Sequence, residues 1–227
     1  MKKPKKVKKN QAQVEEVFNN IERFTIELDP IDYDIKLVDH DYDNIMIVGP
    51  HRSGTTFVAK AIAHDLKYRF VDEIKFSTPN AGAYRNQLRH KHQVIQSPSA
   101  TKHIHTVAGD NDLVIFMVRN WKDIVKSVHR KNNFISNWVD LNYIYEHYKS
   151  QYLSYDPNCK SVIEETVNKE SYYLNFIYTV WKYYQREKIP NYLELNYESF
   201  ANHSLWVDKT QRTHFSAKQT TVKKKVK

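Results

Sequence analysis

At 227 residues, with 41% hydrophobic and 13% aromatic content, the chain has the composition of one folded domain able to bury a sizeable core. Its net charge of +9 sits at the ends: "MKKPKKVKK" at residues 1–9 holds six lysines and the closing "KKKVK" four more, so the body between them is near neutral, at about −1. One cysteine, Cys159, excludes an internal disulfide, no run of about 18 apolar residues is present to cross a membrane, and the N-terminus lacks the apolar core of a signal peptide.

These features predict a soluble, cytoplasmic domain over residues 14–215, between basic tails at 1–13 and 216–227. Lysine runs of this kind are solvated; they attract polyanions loosely and do not by themselves make a nucleic-acid-binding protein.

In chain order, "VEEVFNNIERF" (14–24) has helical apolar spacing, and an acidic, irregular stretch follows at 29–44. "NIMIVG" (44–49) is a compact apolar run ending in glycine, which suits a buried parallel strand. Residues 54–66 carry Phe57, Val58, Ile62 and Leu66 at helical spacing. "YRFVDE" (68–73) reads as a second strand, 79–91 as a helix, and "HQVIQSP" (92–98) as a third strand stopped by Pro98. "DLVIFMVRN" (112–120) is the fourth strand, 121–131 a helix, 136–187 a tyrosine-rich helical region, and "NYLELNY" (191–197) the fifth strand. Strands alternating with helices predict an α/β fold: a P-loop-type parallel sheet of about five strands with helices on both faces. Ligands in such sheets sit at the carboxyl ends of the strands, which places Gly49, Asp72, Glu73, Ser97, Arg119 and Tyr197 along one rim.

The chain has only 4 glycines, and two of them, Gly49 and Gly54, bound one strand-to-helix loop. That arrangement binds phosphate through the free amides and positive dipole end of the helix, and Ser53, Thr55 and Thr56 add hydroxyls. The usual ATP- and GTP-binding pattern requires lysine at position 55, where this chain has threonine, and it also lacks a clear magnesium-holding aspartate after an apolar strand. Arg52 lies three residues before Thr55.

"PHRSGTTF" (50–57) resembles the 5′-phosphosulfate loop of the sulfotransferases that use 3′-phosphoadenosine 5′-phosphosulfate (PAPS). Its "RSGTT" is most similar to the tyrosylprotein and carbohydrate enzymes. The donor in that family carries no β- or γ-phosphate, so the lysine is dispensable. The resemblance implies that Arg52 sits by the bridging oxygen and the sulfuryl group. "IFMVRNWKDIVKSVHR" (115–130) is similar to the family's second signature, which implies that Arg119 and Ser127 hold the 3′-phosphate; Trp121 stands where proline is common. "VIQSP" (94–98) and "YLELNYESF" (192–200) resemble two further segments, the second placing Tyr197 near the nucleotide.

By the same resemblance the base is a carboxylate after the second strand. Glu73 is the first candidate, Asp72 is in reserve, and His105 is a further alternative. Arg212, Thr213 and Lys218 are candidates for a closing loop over the donor. The implied activity is sulfuryl transfer from PAPS, without a metal, to a hydroxyl on a saccharide, a tyrosine or a small molecule. The rivals are a P-loop nucleotide kinase and an inactive nucleotide-binding protein whose basic tails dock on polyanions. "HKH" (90–92) and "HIH" (103–105) lie in no metal-ligand frame. The acceptor pocket is expected from 76–92 and 136–187, where Tyr143, Tyr145, Tyr148 and Trp181 are sugar-stacking candidates that core packing would equally explain.

Overall fold

Ile45, Met46, Ile47 and Val48 point alternately to the two faces of one strand, and all four are buried, so neither face meets water. A strand of this kind needs a layer on each side. The computed structural model, which describes residues 26–73, 80–130, 149–166 and 173–208 together with Thr210, supplies both.

Five strands form one parallel sheet: β1 (Asn44–Val48), β2 (Arg69–Asp72), β3 (Gln93–Gln96), β4 (Asp112–Val118) and β5 (Tyr192–Asn196), in the order β2-β3-β1-β4-β5. Each agrees with an expected strand to within two residues at either end. Helix α1 (Thr55–Asp65) lies between β1 and β2, α2 (Ala81–Leu88) between β2 and β3, and α3 (Trp121–Arg130) directly after β4. Among its described residues, the tyrosine-rich stretch contains α4 (Lys160–Thr166), α5 (Tyr173–Val180) and a π-helical turn over Trp181–Gln185. A short helix, α6 (Ser204–Val207), follows β5.

The sheet divides the core in two. On one face Ile45, Ile47, Ile115 and Met117 pack on Val58 and Ile62 of α1 and on Phe200. On the other, Met46, Val48, Val114 and Phe116 meet Tyr84 of α2, Ile124 of α3, and Phe176 and Trp181. Phe116 and Trp181 stack with ring centroids 4.4 Å apart and planes 18° from parallel. Trp181 is therefore a core residue, not a sugar-stacking surface. Its indole N–H donates to Glu194 Oε1 at 2.8 Å, and Arg186 Nη1 donates to the same oxygen at 3.2 Å, so the buried carboxylate at the sheet edge is partnered.

Pro98 does stop β3, but the chain does not then enter a loop. Pro98–Thr106 winds as a 3-10 helix that returns along the carboxyl edge of the sheet and buries Ala100, Thr101, His103 and Ile104. This element is absent from the sequence-based reading because its apolar residues follow neither helical nor strand periodicity. The expected leading helix at 14–24, both tails, and Arg212, Thr213, Lys218, Tyr143, Tyr145 and Tyr148 lie outside the described residues. Among the described residues no helix is long and apolar enough to cross a membrane.

Phe116→Ala would delete a fully buried ring and leave Trp181 without its stacking partner. A loss of about 3–5 kcal/mol is expected, read as a lower denaturant midpoint at unchanged slope in urea unfolding.

Candidate functional site

The chain leaves β1 towards β2 and leaves β4 towards β5, on opposite sides of two neighbouring strands. Loops that part in this way open a crevice at the carboxyl edge. The β1–α1 loop forms one wall of that crevice, and Arg119 and Asn120, at the end of β4, form the other.

The loop is tightly bent. Gly49, Arg52 and Gly54 have φ of 127°, 73° and 96°, and only the glycines adopt such values without side-chain strain. Thr101, on the 3-10 helix, accepts from the Gly49 amide at 2.9 Å and donates to the Gly49 carbonyl at 3.1 Å. Ser53 is fully buried and donates its hydroxyl to the Pro50 carbonyl at 2.7 Å, while its amide donates to the same oxygen at 3.1 Å. The hydroxyl expected to face a phosphate is thus committed to shaping the turn, because Ser53 points inward from a loop this narrow. Thr55 Oγ1 accepts from Gln96 Nε2 at 3.3 Å, and its own proton stays available. Thr56 is exposed on the first turn of α1. The earliest helical bonds run from the Phe57 and Val58 amides to the Gly54 carbonyl, so the amides ahead of them face the crevice mouth with the positive end of the helix dipole.

The two walls meet through Arg119. Its Nη1 donates to the Arg52 carbonyl at 3.0 Å, and its guanidinium lies 4.3 Å from the centroid of the Tyr197 ring. Arg52 turns its Nε to Ser127 Oγ on α3, at 3.0 Å. The Tyr197 ring lies flush against Gly54: a Cβ added at Gly54 would fall 2.1 Å from it. Burial raises the Tyr197 phenol above its usual range, against the pull of Arg119. Arg52, Gly54, Arg119, Ser127 and Tyr197, which come from three separate stretches of sequence, therefore share one cleft. Arg119 also lines a cavity of about 330 Å³ together with Trp121 and Tyr178, and among the described residues its buried Nε has no hydrogen-bond partner. A buried donor left open in this way is where an acceptor from outside the chain would fit.

Glu73 follows β2 directly. Its Oε1 accepts from Ser97 Oγ at 2.8 Å and from the Ser99 amide at 2.9 Å, which fixes the carboxylate at the end of β3. Asp72, the reserve candidate, is the last residue of β2, in register with Gln96. Two residues not singled out from the sequence stand near Glu73. His51, on the loop, is pushed below its usual range by burial, with Glu73 pulling the other way. Lys102, on the 3-10 helix, is also lowered by burial and opposed by Glu73. Lys102 Nζ donates to Gln151 Oε1 at 3.0 Å and lies 5.4 Å from the Tyr155 ring centroid. The lysine directly precedes "HIH", and the 3-10 helix over Pro98–Thr106 returns it to the rim.

His105, the alternative base, has a side chain only 4 % exposed. Its Nε2 donates to Asp156 Oδ2 at 2.9 Å and its Nδ1 accepts from Gln185 at 3.1 Å, so both ring nitrogens are occupied. The arrangement is a buried structural network, completed by the Tyr184 hydroxyl donating to the same Asp156 oxygen at 2.6 Å.

A parallel sheet ordered β2-β3-β1-β4-β5, with a glycine-bounded loop joining its central strand to the first helix, defines an α/β fold of the P-loop type. No protein-family model matches the chain, and no curated protein matches it. Among solved structures the chain is similar to a shikimate kinase from Acinetobacter baumannii in complex with shikimate, at 15% identity over 86% of this chain and 100% of that one, with a TM-score of 0.41. It is also similar to a deoxyadenosine kinase from M. mycoides with bound dCTP, at 13% identity over 61% of this chain and 97% of that one, with a TM-score of 0.33. The assignment of fold class rests on the strand order and the loop, not on these likenesses.

Gly54→Ala should lower the unfolding free energy by at least about 1–3 kcal/mol, the cost of a left-handed non-glycine residue. In a Tyr197→Ala background part of the loss should disappear, since the ring overlap is gone and only the backbone term remains; denaturant unfolding of the four proteins measures both parts. Burial pushes the Asp156 carboxyl up, but hydrogen bonds from Tyr184, His105 and the Asn158 amide outweigh it and bring it down to about 2. A carboxyl lowered on folding stabilises fully above its unfolded value near 3.8 and loses that contribution as pH falls through about 2. Asp156→Asn should therefore flatten the dependence of stability on pH over this acid range, as measured by urea unfolding at a series of pH values.

Proposed function

We propose that this chain is a sulfotransferase that moves a sulfuryl group from PAPS to an acceptor hydroxyl. The observation that carries the reading is the clasp between the two walls: Arg119 bonds to the Arg52 carbonyl while Arg52 bonds to Ser127. The clasp brings the β1–α1 loop against the end of β4 and α3, which supports a donor with phosphate at both its 5′ and 3′ positions. The lack of a lysine at position 55 supports the same reading, because such a donor has no β- and γ-phosphates for it to reach.

Arg52, Gly54, Thr55, Thr56 and the leading amides of α1 would hold the 5′-phosphosulfate, with Ser53 shaping their turn. Arg119 and Ser127 would hold the 3′-phosphate, and Tyr197 would close the cleft beside them. PAPS, when bound, supplies an electrophilic sulfur on a phosphate leaving group. Glu73 takes the proton from the acceptor hydroxyl as its oxygen forms the new bond to sulfur and the bond from sulfur to the bridging oxygen breaks. Arg52 and the helix amides balance the negative charge that collects on the leaving phosphate, and Lys102 adds positive charge on the Glu73 side. The acceptor is a hydroxyl-bearing saccharide, tyrosine or small molecule.

The test is calorimetry with adenosine 3′,5′-bisphosphate (PAP), followed by transfer of radiolabelled sulfate from PAPS to a panel of glycans, peptides and phenols. PAP should bind, and Arg119→Ala should weaken it by about 1–3 kcal/mol, the range for a charge-assisted hydrogen bond. Stabilisation by ATP with magnesium but not by PAP would favour a P-loop kinase instead. PAP binding without transfer to any acceptor would leave a nucleotide-binding protein.

A further inference from the structure

The Glu73 carboxylate is one end of a chain of hydroxyls that runs into the core. Ser97 Oγ donates to Glu73 Oε1 at 2.8 Å, and the Tyr84 hydroxyl meets Ser97 Oγ in turn. The direction of this chain follows from counting protons. An ionised carboxylate only accepts, so the Ser97 proton points to Glu73; the Ser97 oxygen then accepts from Tyr84, whose hydroxyl is the donor. Ser97 and Tyr84 are both fully buried. Burial raises the Tyr84 phenol above its usual range, so it keeps its proton and remains a donor.

The placement is built from three elements. Asn80 caps α2 by accepting from the Ala83 amide at 3.0 Å, which sets the first turn of the helix and with it Tyr84. Ser97 directly follows β3 and donates its backbone amide to the Ile47 carbonyl of β1 at 3.0 Å. The Tyr84 ring packs against His103 at a centroid distance of 5.5 Å. The Ser99 amide adds a second donor to the same Oε1 of Glu73, at 2.9 Å. Both bonds to the carboxylate therefore go to one oxygen, Oε1. Among the described residues no hydrogen bond reaches Glu73 Oε2.

We infer that Tyr84 and Ser97 form a directed pair of hydroxyls that holds one oxygen of Glu73 and orients the other towards the acceptor. Tyr84 is a positioning residue that acts through Ser97, while Glu73 is the group that meets the reacting hydroxyl. Its value for transfer rests on the sulfotransferase reading; the hydroxyl chain itself does not.

The experiment uses the full chain with tyrosine carrying carbon-13 at the phenolic carbon, the Tyr84 signal being assigned by its loss in Tyr84→Phe. Glu73→Gln and Ser97→Ala should each move the Tyr84 signal, because the first removes the charge at the end of the chain and the second removes its middle link. An unmoved Tyr84 signal in Glu73→Gln overturns the inference. Ser97→Ala provides an independent check, and an unmoved Tyr84 signal in that variant also overturns the inference. Where transfer activity is found, Tyr84→Phe should lower kcat about two- to tenfold, the loss of one hydrogen bond, with KM for the acceptor unchanged. The double variant Tyr84→Phe/Ser97→Ala should be no slower than Ser97→Ala alone; an additive loss overturns the inference. If the Tyr84 signal responds as expected but no sulfate is transferred, the hydroxyl chain stands and the sulfotransferase reading fails.

Discussion

Two guanidinium groups in one crevice repel each other, and here each is given a neutral partner. The Arg119 fork spends one N–H on the Arg52 carbonyl and lays its face on the Tyr197 ring. Arg52 spends its Nε on a serine hydroxyl. Neither is neutralised by a carboxylate in these contacts, so the positive charge of the pair is preserved. The strained φ of Arg52 belongs to the same arrangement: the left-handed turn presents its carbonyl to Arg119 while its side chain reaches α3. Strain of this kind persists where surrounding contacts over-determine the backbone, and Thr101 and Ser53 supply those contacts from beneath the loop.

The other half of the crevice is organised by a carboxylate. Glu73 draws donors from the end of β3, and it stands close enough to His51 and Lys102 to oppose the effect of burial on both. In a partly desolvated cleft these groups interact more strongly than they would in water.

Much of the scaffold was legible because a buried parallel strand must be apolar on both faces. "IMIV" and "LVIFMV" are continuous runs for that reason, and their lengths bounded β1 and β4. Gly49 and Gly54 were legible as a pair because a chain with so few glycines seldom places two so close unless the backbone demands it. The 3-10 helix over Pro98–Thr106 was not legible: it buries residues at irregular spacing, which neither the helical nor the strand period marks. With it went Lys102, and also Thr101, whose hydroxyl locks the loop. Ser53 was read as a donor to a ligand from its neighbours alone, and its inward direction emerged only from the φ values on either side.

The amino-acid order by itself determined the alternation of strands and helices, the loop after the first strand and the identity of the basic residues at two strand ends, because each of these depends on residues close along the chain. Tertiary structure alone decided that Arg119 closes on Arg52, that Tyr197 lies over Gly54, that Trp181 is core rather than surface, and that Tyr84 reaches Glu73 through Ser97. Contacts of that kind depend on which strands become neighbours. The order β2-β3-β1-β4-β5 is set by how the two faces of the sheet bury their side chains together, a property of the whole packed chain and of no single segment.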